Sequence, residues 1–192
     1  MSCGIFTDAQ FKIRVMNFSE TIFLVGMMGS GKTTIGRQLA RTLGRRFIDC
    51  DQELERRTGV SIRVIFDIEG EAGFRKRERQ LILELADEPG LVIATGGGAV
   101  LAAENRACMT RRGLVIYLAV PLNSLWERVR NDGRRPLLDV DDPRKRIEEL
   151  YASRAPLYQE VADIVVEGAH CRESTVLAMI EKELKRRSAA NG

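Results

Sequence analysis

Residues 26–34, GMMGSGKTT, follow directly on the apolar run TIFLV and lead into the amphipathic stretch TTIGRQLARTLG. Gly26, Gly31, Lys32 and Thr33 satisfy the spacing G-x-x-x-x-G-K-[ST]. A strand that turns through such a loop into a helix presents a row of backbone N–H groups, and the helix N-terminus adds partial positive charge. Glycines let that backbone close around phosphate oxygens. The lysine reaches β- and γ-phosphates, and the following hydroxyl can meet Mg²⁺. The pattern predicts that Gly29, Ser30, Gly31, Lys32, Thr33 and Thr34 bind a nucleoside triphosphate. It leaves open what the nucleotide is for, because such loops serve kinases, motors, switches and regulators alike.

The same strand-to-helix rhythm continues along the chain. TIFLVG (21–26), RRFIDCD (45–51), LVIAT (91–95), LVIYLAV (114–120) and DIVVE (163–167) read as short buried strands. Helical patterns lie between them at 33–44, 71–88, 103–112, 121–130, 143–162 and 173–187. Pro121 and Pro143 suit helix starts, whereas Pro156 is expected to kink or break its helix. Alternating strands and helices predict an α/β fold, a parallel sheet covered by helices on both faces. Ligands of such sheets bind beyond the carboxyl ends of the strands. The residues that follow each strand are therefore the candidates for chemistry. The polar stretch 131–142, NDGRRPLLDVDD, interrupts the rhythm and reads as a mobile loop.

Composition narrows the function classes. A chain of 192 residues is large enough for one domain with a sizeable core, and a net charge of +3 does not argue for nucleic acid or an anionic membrane. Cys3, Cys50, Cys108 and Cys171 are scattered, and His170 is the single histidine, which disfavours a zinc site. Such cysteines suit a reducing compartment, so cytoplasm is expected. No stretch approaches the ~20 apolar residues that span a bilayer. The first predicted strand begins at Thr21, so residues 1–20 read as a poorly ordered extension.

Asp49 and Asp51 close the second apolar run. Two carboxylates near a phosphate loop suit Mg²⁺ organisation and acceptance of a hydroxyl proton, although either could simply cap the next helix. TGGGAV (95–100) allows close approach of a ligand to the backbone or forms a plain turn. Arg75 in FRKRE, the paired arginines of RRP and Arg154 in SRAPLY are anion-binding candidates or surface charge.

Taken together, GMMGSGKTTIGRQLA, FIDCDQELERRTG, IFDIEGEAGFRKRE, ATGGGAV, RRPLL and RAPLY, in this order and spacing, resemble the shikimate kinase family over Thr21 to Arg187. The resemblance implies a P-loop NTPase fold like that of nucleoside monophosphate kinases. It has a five-stranded parallel sheet, a substrate-binding segment at about 51–80 and a lid at about 131–142. It implies transfer of the γ-phosphoryl of ATP to the 3-hydroxyl of shikimate, with Mg²⁺ as cofactor, in a monomer without nucleic-acid or membrane partners. Asp51, Lys32 and Arg135 become the expected catalytic set. Thr33, and Asp49 through water, become the expected metal site. Arg75, Arg154, Gly96, Gly97 and Gly98 join Asp51 in the expected acceptor site. Arg135 is expected to reach the phosphates and Arg128 the adenine, with Arg130 close by. Other readings of the same residues are a kinase for another carboxylated polyol such as gluconate, or a P-loop regulatory module.

Overall fold

The computed structural model describes residues 5–6, 20–130, 136–167 and 172–190. Its centre is β2 (Thr21–Val25), which pairs in parallel with β4 (Leu91–Ala94) on one side and β5 (Gly113–Ala119) on the other. β3 (Arg46–Asp49) adds to β4, and β6 (Ile164–Glu167) adds to β5, also in parallel. These are the five parallel strands that the sequence predicts. A two-residue strand, β1 (Ile5–Phe6), pairs antiparallel with β6 and extends the sheet order to β1-β6-β5-β2-β4-β3. Residues 1–4 and 7–19 of the expected N-terminal extension lie outside the described residues.

Side chains alternate across β2, and that alternation builds two apolar layers. Ile22 and Leu24 face the layer that holds Ile35 and Leu39 of α1 (Lys32–Leu43) and Val176 and Ile180 of α7 (Glu173–Ala190). Phe23 and Val25 face the layer filled by α3 (Ile62–Ala86), α4 (Ala103–Arg112), α5 (Leu122–Val129) and α6 (Pro143–Val161). Each fully buried Leu, Ile or Phe contributes about 1.5–3 kcal/mol relative to exposure. α2 (Cys50–Thr58) follows β3 without a loop.

Two features depart from the sequence reading. The helix expected from residue 71 starts at Ile62, in two pieces joined at Gly70, whose φ is 68° and ψ −178°. The first piece, IRVIFDIE, has five apolar residues in eight, a run too short and too evenly apolar for a helical period to stand out. In α6, Pro156 does not break the helix, which runs from Pro143 to Val161. Buried residues lie on both sides of the proline, Ile147 and Leu150 before it and Tyr158 and Val161 after it. Their packing outweighs the roughly 3 kcal/mol that an interior proline costs.

The chain order places β2 at the sheet's switch point. From β2 the chain crosses β4 to reach edge strand β3, returns to β4, and then moves to the other side for β5. Loops that follow β2, β4 and β5 diverge there and leave a crevice.

Candidate active site

The loop after β2 closes on itself through Lys32. Its Nζ donates to the carbonyls of Gly26 at 2.8 Å and Met27 at 2.9 Å, and to Ser30 Oγ at 3.5 Å. Gly31 caps α1 at φ 94°, ψ 13°, a left-handed conformation that a side chain would strain, and no side chain caps the helix. The first-turn N–H groups of α1 therefore keep their capacity for an anion. Gly29, Ser30, Gly31, Lys32, Thr33 and Thr34 all line a cleft of about 460 Å³. Arg128, on α5, lines it as well and donates to the Gly29 carbonyl at 3.1 Å. Arg130 instead pairs with Glu127 at 3.2 Å.

The Asp49 carboxylate is divided between two tasks. One oxygen accepts the backbone N–H of Asp51 at 3.1 Å and of Gln52 at 3.2 Å, which caps α2. The other accepts the Thr33 hydroxyl at 2.6 Å. Capping and site chemistry, which the sequence leaves as alternatives, are both present. Thr33 spends its proton on Asp49, so the oxygen's lone pairs can face a cation. No group of three or more His, Cys, Asp or Glu side chains comes together to hold a metal among the described residues. The donor set fits a hard cation held mostly by phosphate oxygens and water.

A second cleft of about 360 Å³ opens on the other side of Asp49 and Asp51. Asp51, Arg75, Arg154 and Gly96 to Gly98 line it, with Ile62, Phe66 and Phe74 as its apolar wall. The two clefts share Met28, Thr33, Asp49, Asp51 and Gly97. Arg75 donates to Glu78 at 2.7 Å and to Glu71 at 3.0 Å. Burial works against its charge, but the two carboxylates outweigh burial and raise its pKa. Arg154 is 2% exposed, and its Nε and Nη1 have no hydrogen-bond partner among the described residues. Burial lowers its pKa, with Tyr158 opposing. A guanidinium with unspent buried donors at a cleft wall suits an anionic ligand.

The glycine run after β4 is a requirement of space. A Cβ on Gly96 would lie 2.1 Å from Glu78 Oε1 and 3.3 Å from Asp51 Oδ1. The Tyr158 hydroxyl donates to the Gly97 carbonyl and holds the run against α6.

Of the residues expected from sequence, all but Arg135 meet around these two clefts. Arg135 and residues 131–134 of the expected lid lie outside the described residues. The sequence reading missed Glu78, which is 1% exposed, and the anchoring role of Tyr158. Glu78 stands three residues after Arg75 on α3, a spacing that signals an ion pair but not its burial. Cys50, between the two aspartates, is fully buried. Burial and the charges of Asp51 and Glu78 push its thiol well above the ordinary range, so it is a packed side chain rather than a reactive one.

Among the described residues, no helix is long and apolar enough to cross a membrane. Comparison with known proteins converges on one family. The sequence profile described as Shikimate kinase matches residues 28–185. The chain is 57% identical over 164 residues to the shikimate kinase of Aromatoleum aromaticum, covering 85% of this chain and 94% of that protein. It is 50% identical to the shikimate kinase of Dechloromonas aromatica, over 94% of this chain and 98% of that one. Among solved structures, a shikimate kinase from Acinetobacter baumannii in complex with shikimate superposes with a TM-score of 0.84 at 43% identity. That match covers 88% of this chain and 94% of the other. With the P-loop cleft and the arginine-lined cleft meeting at the same two aspartates, the chain belongs to the shikimate kinase family.

Proposed function

We propose that the two clefts hold ATP and shikimate on either side of Asp49 and Asp51, and that the γ-phosphoryl of ATP passes between them to the 3-hydroxyl of shikimate. The observation that carries this reading is the shared wall. Thr33, Asp49, Asp51 and Gly97 line both clefts, so a phosphate seated on the loop and a hydroxyl seated beside Asp51 are neighbours.

In this reading the backbone of Gly29 to Thr34 cradles the phosphates. Lys32 exchanges the carbonyls of Gly26 and Met27 for β- and γ-phosphate oxygens. Thr33 would hold Mg²⁺ directly and Asp49 would hold it through water. When bound, Mg²⁺ neutralises phosphate charge. Arg128 flanks the base. Arg75 and Arg154 grip the acceptor carboxylate, a two-point recognition that lysine would not reproduce. Asp51 orients the acceptor hydroxyl and takes its proton as the new P–O bond forms and the bond to the leaving ADP oxygen breaks. A loose transition state asks for positioning more than for a strong base, so an ordinary carboxylate suffices. Arg135 is assigned to the phosphates through its place in the sequence. Residues 51–80 then serve as the substrate-binding segment and 131–142 as a lid that excludes water on closure. A monomer in the cytoplasm completes the proposal, since one chain supplies both clefts.

The test is ADP release with ATP and Mg²⁺, measured without acceptor and with shikimate, gluconate or a nucleoside monophosphate. Release that depends on shikimate supports the assignment. Release with gluconate alone would keep the kinase and change its acceptor. Nucleotide binding with no transfer to any acceptor would favour a regulatory module.

A further inference from the structure

In the run from Gly96 to Leu101 every backbone carbonyl has a donor. The Ala99 N–H donates to the Gly96 carbonyl at 3.1 Å, and the Leu101 N–H to that of Gly98 at 3.0 Å. Asn105 Nδ2 donates to the Ala99 carbonyl at 2.8 Å, and Arg106 donates to those of Val100 and Leu101. The Gly97 carbonyl is held by the Tyr158 hydroxyl, 61 residues along the chain. A trans peptide points its C=O and the following N–H in opposite directions. Holding the Gly96 and Gly97 carbonyls therefore turns the N–H groups of Gly97 and Gly98 away from those donors. Neither N–H donates to another group among the described residues. Tyr158 is fully buried behind the run, whereas Gly97 and Gly98 line the acceptor cleft. A Cβ on Gly98 would overlap the Arg75 guanidinium, and one on Gly97 would lie 3.3 Å from the Met28 nitrogen and 3.8 Å from Arg154 Nη1. A peptide between two glycines meets little steric resistance to turning over, so one hydrogen bond decides which way it faces.

We propose that Tyr158 is a positioning residue for the transfer. It fixes the Gly97–Gly98 peptide with its N–H toward the acceptor and keeps that peptide against the phosphate loop. The same hydroxyl lies 3.6 Å from Met27 Sδ, so one side chain touches both loops that meet at the reaction. Burial pushes its pKa up, and it stays a donor at neutral pH. Tyr117 stacks on its ring at a centroid distance of 5.1 Å, which holds the ring independently of the hydroxyl. Tyr158 touches no reacting atom. This inference rests on the assignment of the arginine-lined cleft to shikimate, which turnover of the unaltered protein tests on its own.

The experiment compares Tyr158→Phe with Tyr117→Phe, which takes a hydroxyl from the neighbouring ring and leaves the glycine run untouched. Tyr158→Phe should raise the KM for shikimate roughly three- to tenfold, the size of one hydrogen bond, and lower kcat, with the KM for ATP within about twofold. Tyr117→Phe should keep both KM values. Each variant should melt within a few degrees of the unaltered protein, since only one oxygen is removed. In ligand-free protein carrying isotope-labelled glycine, the Gly98 amide signal should broaden in Tyr158→Phe and stay sharp in Tyr117→Phe. That signal needs no acceptor, so it tests the hold of Tyr158 even if the cleft takes another substrate. An unchanged KM for shikimate in Tyr158→Phe would overturn the proposal, as would a Gly98 signal that stays sharp. So would an equal rise in both variants, or an equal rise of both KM values in Tyr158→Phe, which is the mark of a merely structural role.

Discussion

Thr33 Oγ1 lies 2.6 Å from Asp49 Oδ2, a hydrogen bond that ties the first residue after the P-loop lysine to the end of a strand sixteen residues later. Through it, the phosphate loop and the capped start of α2 become one rigid unit. Asp51, which follows in the first turn of α2, is thereby placed relative to the phosphate loop rather than only relative to its own helix.

This pairing separates the charge of Asp49 from its capping role. Asn caps a helix as well as Asp does, so Asp49→Asn should change stability by only a few tenths of a kcal/mol. It should nevertheless raise the Mg²⁺ concentration needed for half-maximal turnover and lower kcat. Asp49→Ala should lose about 1 kcal/mol in addition. Thermal melts beside Mg²⁺ titrations of activity check both. Equal Mg²⁺ dependence in Asp49→Asn and the unaltered protein would remove Asp49 from the metal site.

Arg154 is a charge buried with unspent donors, and such groups tend to cost stability while serving function. Arg154→Met should melt at the temperature of the unaltered protein or above it. Its KM for shikimate should rise by about a hundredfold, the worth of a charge-assisted pair. Calorimetry and kinetics on one preparation decide the matter. A large fall in melting temperature with a normal KM would make Arg154 a structural residue.

Gly96→Ala places a methyl group where Glu78 Oε1 already stands, 2.1 Å away. Either Glu78 or the glycine run must shift, and the acceptor cleft shifts with it. We expect shikimate affinity to drop at least tenfold, for a cost of roughly 1–3 kcal/mol of overpacking. Binding of ATP, measured by calorimetry without acceptor, should persist. Parallel loss of both ligands would point to misfolding instead.

Glu78 should leave a signature in the pH dependence of stability. Burial raises its pKa, and the Arg75 guanidinium only partly opposes this. A carboxyl with a folded pKa above its unfolded one contributes stability below the unfolded value and loses that contribution as pH rises through the folded value. Glu78→Gln has no such proton to lose. Its stability relative to the unaltered protein should therefore climb from about pH 4.3, the ordinary carboxylate value, upward. Denaturant melts across that range measure the difference, and a difference that falls with pH would contradict the raised pKa.

Much of this protein is set by local sequence. Four of the five parallel strands follow from short apolar runs, because a strand buried on both faces needs little else, whereas β3, RFID, expected to be buried as well, is a half-exposed edge strand. The nucleotide cleft follows from the spacing of Gly26, Gly31, Lys32 and Thr33, since the chemistry there is done by backbone within one turn of loop and helix. What sequence left undecided was decided by neighbours distant in the chain. Asp49 caps a helix and binds Thr33 at once because β3 ends beside the P-loop. Arg128 rather than Arg130 lines the cleft because α5 turns that face toward Gly29. Pro156 leaves α6 whole because buried residues hold the helix on both sides of it. Glu78 looks like a surface charge in the sequence and Arg154 like either an anion binder or a surface charge, and only the convergence of α3, α6 and the Gly96–Gly98 run buries them together. Burial belongs to three-dimensional packing, and no pattern along the chain carries it.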